Sequence, residues 1–187
     1  MAALRARRSI RRRCRRRARA KRTRWALGTC EAAATDAEDG AIVPDYAWTN
    51  ATNGASLGTG AQLQLDASLV SPGDTVRCEA TATDSAGASV SASATVDIGN
   101  TAPAFTVAAS VTPATGVVTG TALECSATAE DPDGGSATVS YAWSVAGAEA
   151  ATGYQYAVDA ADTDPGDAVL CTATATDADG GTAESTA

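Results

Sequence analysis

SPGDTVRCEATATD, Ser71 to Asp84, returns as DPGDAVLCTATATD, Asp164 to Asp177. In each copy a Pro-Gly-Asp turn former precedes a run in which every second residue is apolar or cysteine. Val76, Cys78, Ala80 and Ala82 share one face, with Arg77, Glu79, Thr81 and Thr83 on the other. In the second copy the inward set is Val169, Cys171, Ala173 and Ala175. A period of two is that of a half-buried strand, not a helix. Threonine suits the wet face, because its branched Cβ is tolerated on a pleated surface.

The recurrence extends well beyond this stretch. Cys30 and Cys125, Tyr46 and Tyr141, and Trp48 and Trp143 are each 95 residues apart, whereas the Pro-Gly-Asp stretches are 93 apart. A unit of about 94 residues is therefore present twice, with two residues deleted within the second copy. ECSATAEDPDGG, Glu124 to Gly135, is another strand followed by an acidic glycine turn, and TVSYAWSV places Val139, Tyr141, Trp143 and Val145 on one face. The strands are separated by turn chemistry such as EDPDGG and TDADGG. Strands of this length and spacing predict an all-β chain of two tandem two-sheet sandwiches. The expected divisions are a leader at 1–24, a first module at 25–99 and a second at 103–187.

Charge divides the chain sharply. Thirteen of the fourteen basic residues precede Trp25, while all 22 acidic residues follow it and only Arg77 opposes them there. The leader's density of like charge predicts disorder. It has no apolar h-region of signal-peptide type, and no stretch of the chain is apolar for long enough to cross a membrane as a helix. The body is dominated by alanine and threonine and holds one phenylalanine, Phe105. Such residues bury little apolar area each, so the cores need a further source of stability.

That source is expected in the cysteines. Each unit holds two, Cys30 and Cys78 in the first, Cys125 and Cys171 in the second, and a tryptophan follows the first of each pair by 18 residues. A metal site fits poorly, because the thiols are not in close pairs and the chain has no histidine. The expected arrangement is one disulfide between the sheets of each unit, with the indole packed near it, in an oxidising compartment. Cys14, in the leader, has no partner by this logic.

The Cys…Trp…Cys spacing in a short-stranded β unit resembles an immunoglobulin-type domain. Together with Asp-Pro-Asp-Gly-Gly at 131–135, Tyr-Ala-Trp at 141–143 and the closing Pro-Gly-Asp…Cys…Ala-Thr-Asp, it resembles the tandem Ig-like and polycystic-kidney-disease-type modules of bacterial surface and secreted proteins. The likeness covers roughly Leu27 to Ala187. It implies spacers or adhesive stalks at the cell surface or outside the cell, flanked by neighbouring repeat modules, with the export signal elsewhere. The polycystic-kidney-disease type does not normally carry the cysteine pair, so the Ig-like description fits better.

Register also bears on both edges. The second unit opens with PAFTVAASVTPATGVVT, Pro103 to Thr119, which reads as a first strand and turn. Ninety-five residues earlier lies an arginine tract, so the first module is expected to lack its first strand. The second is expected to have a shortened last strand, since GTAESTA falls short of ASVSASATVDIGN. The chain thus reads as a fragment of a longer array. A start placed too far upstream would reconcile the arginine leader with an exported body.

The acidic turns are the one cluster of chemistry. Asp131 and Asp133, and Asp177 and Asp179, are expected on two loops at the same end of the second unit, where their oxygens suit Ca²⁺. The competing and stronger expectation is that they simply make turns, and no other cofactor is expected. Tyr46, Trp48, Tyr141 and Trp143 fall in the inward phase and are expected in the cores rather than on a glycan platform. Serines and threonines abound without a histidine or a lysine base in the body, so no enzyme is expected. The leading function is a structural or adhesive spacer. Its alternatives are a weak protein- or glycan-binding module, and polyanion binding through the arginine leader, with nucleic acid a poor candidate partner.

Overall fold

The computed structural model describes residues Leu27–Ala187. The expected disorder of the arginine leader, and Cys14 with it, lies outside the described residues. The chain divides into two compact units, unit 1 ending at Gly99 and unit 2 beginning at Asn100. Every described element is a strand or a turn.

Unit 2 shows the repeat most completely. It comprises β9 (Ala104–Thr112), β10 (Ala122–Glu130), β11 (Thr138–Val145), β12 (Ala148–Thr152), β13 (Gln155–Ala157), β14 (Val169–Thr176) and β15 (Thr182–Thr186). One antiparallel sheet has the order β13-β10-β9, the other β12-β11-β14-β15. Val145 and Ala148 pair across a two-residue turn. Ala146 and Gly147 both take positive φ there, 49° and 87°, which matches the right-handed twist of the flanking strands.

Unit 1 repeats this plan with shorter pieces. Its strands are β1 (Leu27–Thr29), β2 (Ala34–Asp36), β3 (Gly40–Ile42), β4 (Asp45–Asn50), β5 (Ser56–Thr59), β6 (Gln62–Gln64), β7 (Thr75–Thr83) and β8 (Ser89–Asp97). The order β5-β4-β7-β8 reproduces β12-β11-β14-β15, and β1 pairs β6 as β10 pairs β13. The long strand β10 is represented here by two fragments, β1 and β2. Among the described residues nothing corresponds to β9, and β2 instead forms a hairpin with β3 through the Asp36–Gly40 pair. At the opposite edge β8 spans nine residues and β15 five, and Ala187 exchanges backbone hydrogen bonds with Cys171 beyond β15.

Period two is directly visible in the burial of β7, where Val76, Cys78, Ala80 and Ala82 are buried and alternate with wetter neighbours. In β14, Cys171, Ala173 and Ala175 have no exposed surface. Two separate cores result. One gathers Cys30, Trp48, Leu57, Leu65, Val70, Val76 and Cys78; the other Leu123, Cys125, Trp143, Val145, Tyr156, Val158 and Cys171. The second core draws on both sheets of its unit.

Gly28 stands where unit 2 has Leu123, which looks from the sequence like a lost core residue. The reason is close approach. A Cβ on Gly28 would lie 3.2 Å from Cη2 of Trp48, so the indole edge fills the space that a side chain would need.

Candidate functional site

Each unit has a covalent and aromatic centre. Cys30 joins Cys78 and Cys125 joins Cys171, with Cα–Cα distances of 6.5 and 6.3 Å. In unit 2 the bond runs from β10 in one sheet to β14 in the other, and so ties the sheets across the core. Trp48 pairs directly opposite Cys78, and Trp143 opposite Cys171, on adjacent strands. The tryptophans therefore pack beside the disulfides because of strand register, and each is 1% exposed.

The polar edges of these aromatics are satisfied in the same way twice. Trp48 Nε1 donates to the Gly60 carbonyl at 2.8 Å, and Trp143 Nε1 to the Gly153 carbonyl at 2.9 Å. The Tyr46 hydroxyl accepts from the Ala32 amide and donates to its carbonyl; the Tyr141 hydroxyl treats Ala127 identically, at 3.1 and 3.4 Å. A phenol thus closes both backbone groups of one residue where no neighbouring strand does so. Tyr141→Phe would leave that amide and carbonyl without the hydroxyl and is expected to destabilise unit 2 by about 1–3 kcal/mol in denaturant melts. Unchanged stability would show that the hydroxyl is incidental.

One aromatic lies deeper than its sequence phase alone could decide. Tyr154, Tyr156 and Val158 share a phase, yet Tyr154 is exposed while Tyr156 and Val158 are buried. Tyr156 stacks on Trp143 with centroids 5.7 Å apart. The corresponding position in unit 1 is Leu63, which packs against that core. Asn50 was not legible as a structural residue either, although it shares the inward phase of Trp48. It is wholly buried; its side-chain amide donates to Asp74 Oδ2 at 2.8 Å and its Oδ1 accepts from the Thr52 amide. It anchors the Pro-Gly-Asp turn to the end of β4, and Val145 takes its place in unit 2.

The acidic loops of unit 2 converge on one segment. Asp133 accepts a hydrogen bond from the Thr101 amide, and Asp177 accepts from the Asn100 side chain. The β10–β11 and β14–β15 loops are therefore at one end, held by consecutive residues. The carboxylates are directed to loop donors. Asp131 Oδ1 accepts from the Asp133 amide at 2.8 Å, and Asp177 Oδ1 accepts from the amides of Gly181 and Asp179 at 2.7 and 3.0 Å. A Cβ at Gly135 or Gly181 would collide with the carboxylate oxygen of Asp131 or Asp177, so either side chain would have to turn away; at Gly181 the Asn100 amide at 2.8 Å and the Ala102 Cα at 3.0 Å crowd the position as well. Asp179 has a structural part only through its amide. Among the described residues no group of three or more acidic or cysteine side chains is placed to hold a metal ion.

Unit 1 uses the same device. Asp84 Oδ1 accepts from the amides of Ala86 and Ala88, Asp36 Oδ1 from those of Glu38 and Asp39, and Asp39 itself caps Ser85. The Asp84 and Asp36 contacts are Asx-type turns, in which a short carboxylate replaces a backbone acceptor, whereas Asp39 joins two loops 46 residues apart in sequence.

Electrostatics agrees. Burial pushes the Asp177 carboxyl up, but the Asn100 amide and the Gly181, Asp179 and Gly180 backbone donors together hold it below its ordinary 3.8. The backbone amides of Glu38 and Asp39 lower Asp36. The Ser68 hydroxyl and amide lower Asp66, and the Ser71 amide and Asn50 side chain lower Asp74. A lowered folded value stabilises the fold above the unfolded value and loses that contribution as pH falls through the folded one. Stability is thus expected to decline as pH falls through about 4 and below. Asp177→Ala should flatten that decline for unit 2, which acid titration of the melting temperature would detect. An equally steep acid limb in the variant would contradict the assignment.

No family model, curated protein or solved structure matches the chain.

Proposed function

We propose that the chain is a pair of Ig-like β-sandwich modules serving as structural or adhesive spacers of an exported repeat protein. The observation that carries this reading is the duplicated centre: one disulfide, one tryptophan and one tyrosine hydroxyl bridge in each unit, on a shared strand plan. Stability, not chemistry, is what is repeated. The aspartates that repeat are spent on turn closure, which supports a non-catalytic role and favours turn formation over calcium. Disulfides across small cores support an oxidising, extracellular setting.

A spacer bears load, and the disulfides set how far each unit can extend. Pulling the oxidised chain should leave the 48-residue and 46-residue loops closed. Reductant should then add roughly 150 Å of contour length per unfolding unit. Single-molecule extension reads this directly. Units that unfold without a discrete force step in the oxidised state would overturn the spacer reading.

A further inference from the structure

Residues 27–99 carry ten acidic side chains against Arg77, a net of −9, and residues 100–187 carry twelve against no basic residue, a net of −12. Among the described residues the one ion pair joins Arg77 to Glu79 at 3.3 Å, with both side chains well exposed. Other carboxylates meet neutral donors: backbone amides, hydroxyls such as that of Ser68, and the side-chain amides of Asn50, Asn100 and Gln155. Such bonds satisfy a carboxylate without cancelling its charge. Asp177, 6% exposed, is held in this way, and the loops carrying Asp131 and Asp133 and Asp177 and Asp179 meet at the same end of unit 2. Asp159, Asp162, Asp164 and Asp167 share the β13–β14 loop.

A folded chain of the length of unit 2, Asn100–Ala187, has a radius of gyration of about 12 Å. In about 10 mM salt ionic fields reach about 30 Å, so every carboxylate of such a unit repels the others; in about 1 M salt they reach about 3 Å and only touching charges interact. Unfolding spreads like charges apart, so their repulsion opposes the compact state. Cores lined by alanine at Ala173 and Ala175 leave little margin against it. We propose that the fold is an ionic-strength switch, most of all in unit 2, consolidated by dissolved monovalent cations and loosened where they are scarce. The ligand is a screening atmosphere of Na⁺ or K⁺ around the whole acidic surface, not an ion in a fixed cage. The inference rests on the placement of charge and stands whether or not the chain is a spacer.

The test is unfolding of the full chain by heat and by urea, an uncharged denaturant, across NaCl concentrations from about 10 mM to about 1 M. The indole N–H signals of Trp48 and Trp143 report the two units separately. The urea midpoint of unit 2 should rise steadily with salt and its melting temperature by roughly 4 °C or more, with KCl acting alike. Glu149 and Glu184 are exposed on β12 and β15. Glu149→Lys with Glu184→Lys should raise the midpoint at the lowest salt and make its dependence on salt shallower. Glu149→Gln with Glu184→Gln should do both more weakly, and serves alone should the lysine variant misfold. A midpoint indifferent to salt would overturn the proposal. So would one that falls with salt, since the thirteen basic residues before Trp25 would then already neutralise the body. A rise as steep in the charge variants as in the parent would overturn it too, because salt would then be strengthening apolar burial rather than screening charge.

Discussion

Reduction of Cys30–Cys78 and Cys125–Cys171 is expected to destabilise each unit by about 4 kcal/mol, the loop-closure value for rings of this size. The folded contacts are nearly unchanged by reduction; what changes is the freedom of the unfolded chain. A domain of this size ordinarily has a net stability of roughly 5–13 kcal/mol. Units whose inward strands carry alanine at Ala80, Ala82, Ala173 and Ala175 are placed toward the low end of that range. Guanidinium unfolding with and without reductant should therefore show both midpoints moving down, and Cys125→Ala with Cys171→Ala should move only that of unit 2. Coincident curves would mean that the cores hold the sheets without the covalent tie.

Trp143→Ala carries the second large effect. The indole is 1% exposed, stacks on Tyr156, lies opposite Cys171 and donates to the Gly153 carbonyl. Removing it should cost about 3–5 kcal/mol, since the surrounding side chains relax only partly into so large a void. Trp143→Phe separates the two contributions, because it keeps an aromatic ring but not the N–H, and should cost less. If the alanine variant melted within a few degrees of the parent, the tryptophan would be peripheral to the core. Trp48→Ala is expected to act similarly in unit 1, where the ring edge also fills the space beside Gly28.

Much of the fold was legible because it is written twice. Alternation in TVRCEATAT and VLCTATAT carries strand phase, and the shared register of cysteine, tyrosine and tryptophan carries the cross-strand relation of Trp48 with Cys78 and of Trp143 with Cys171. The aspartate turns were legible as turns, since short carboxylates next to glycine cap their own loops. Other features depended on tertiary neighbours. Asn50 is a buried polar residue only because the Pro-Gly-Asp turn brings Asp74 to it from 24 residues away. Gly28 reads as a deletion of core until the Trp48 ring is seen against it. The β2–β3 hairpin, too, has no counterpart in unit 2, so repeat logic could not anticipate it.

The central claim is that the two units are separate copies of one β plan, each closed by its own cysteine pair. Digestion at acidic residues under non-reducing conditions, followed by mass analysis, tests it directly, because Asp and Glu separate all four body cysteines. The account predicts linked peptides containing Cys30 with Cys78 and Cys125 with Cys171. Peptides joining Cys30 to Cys125 or Cys78 to Cys171, or free thiols at these positions in air-oxidised protein, would contradict it.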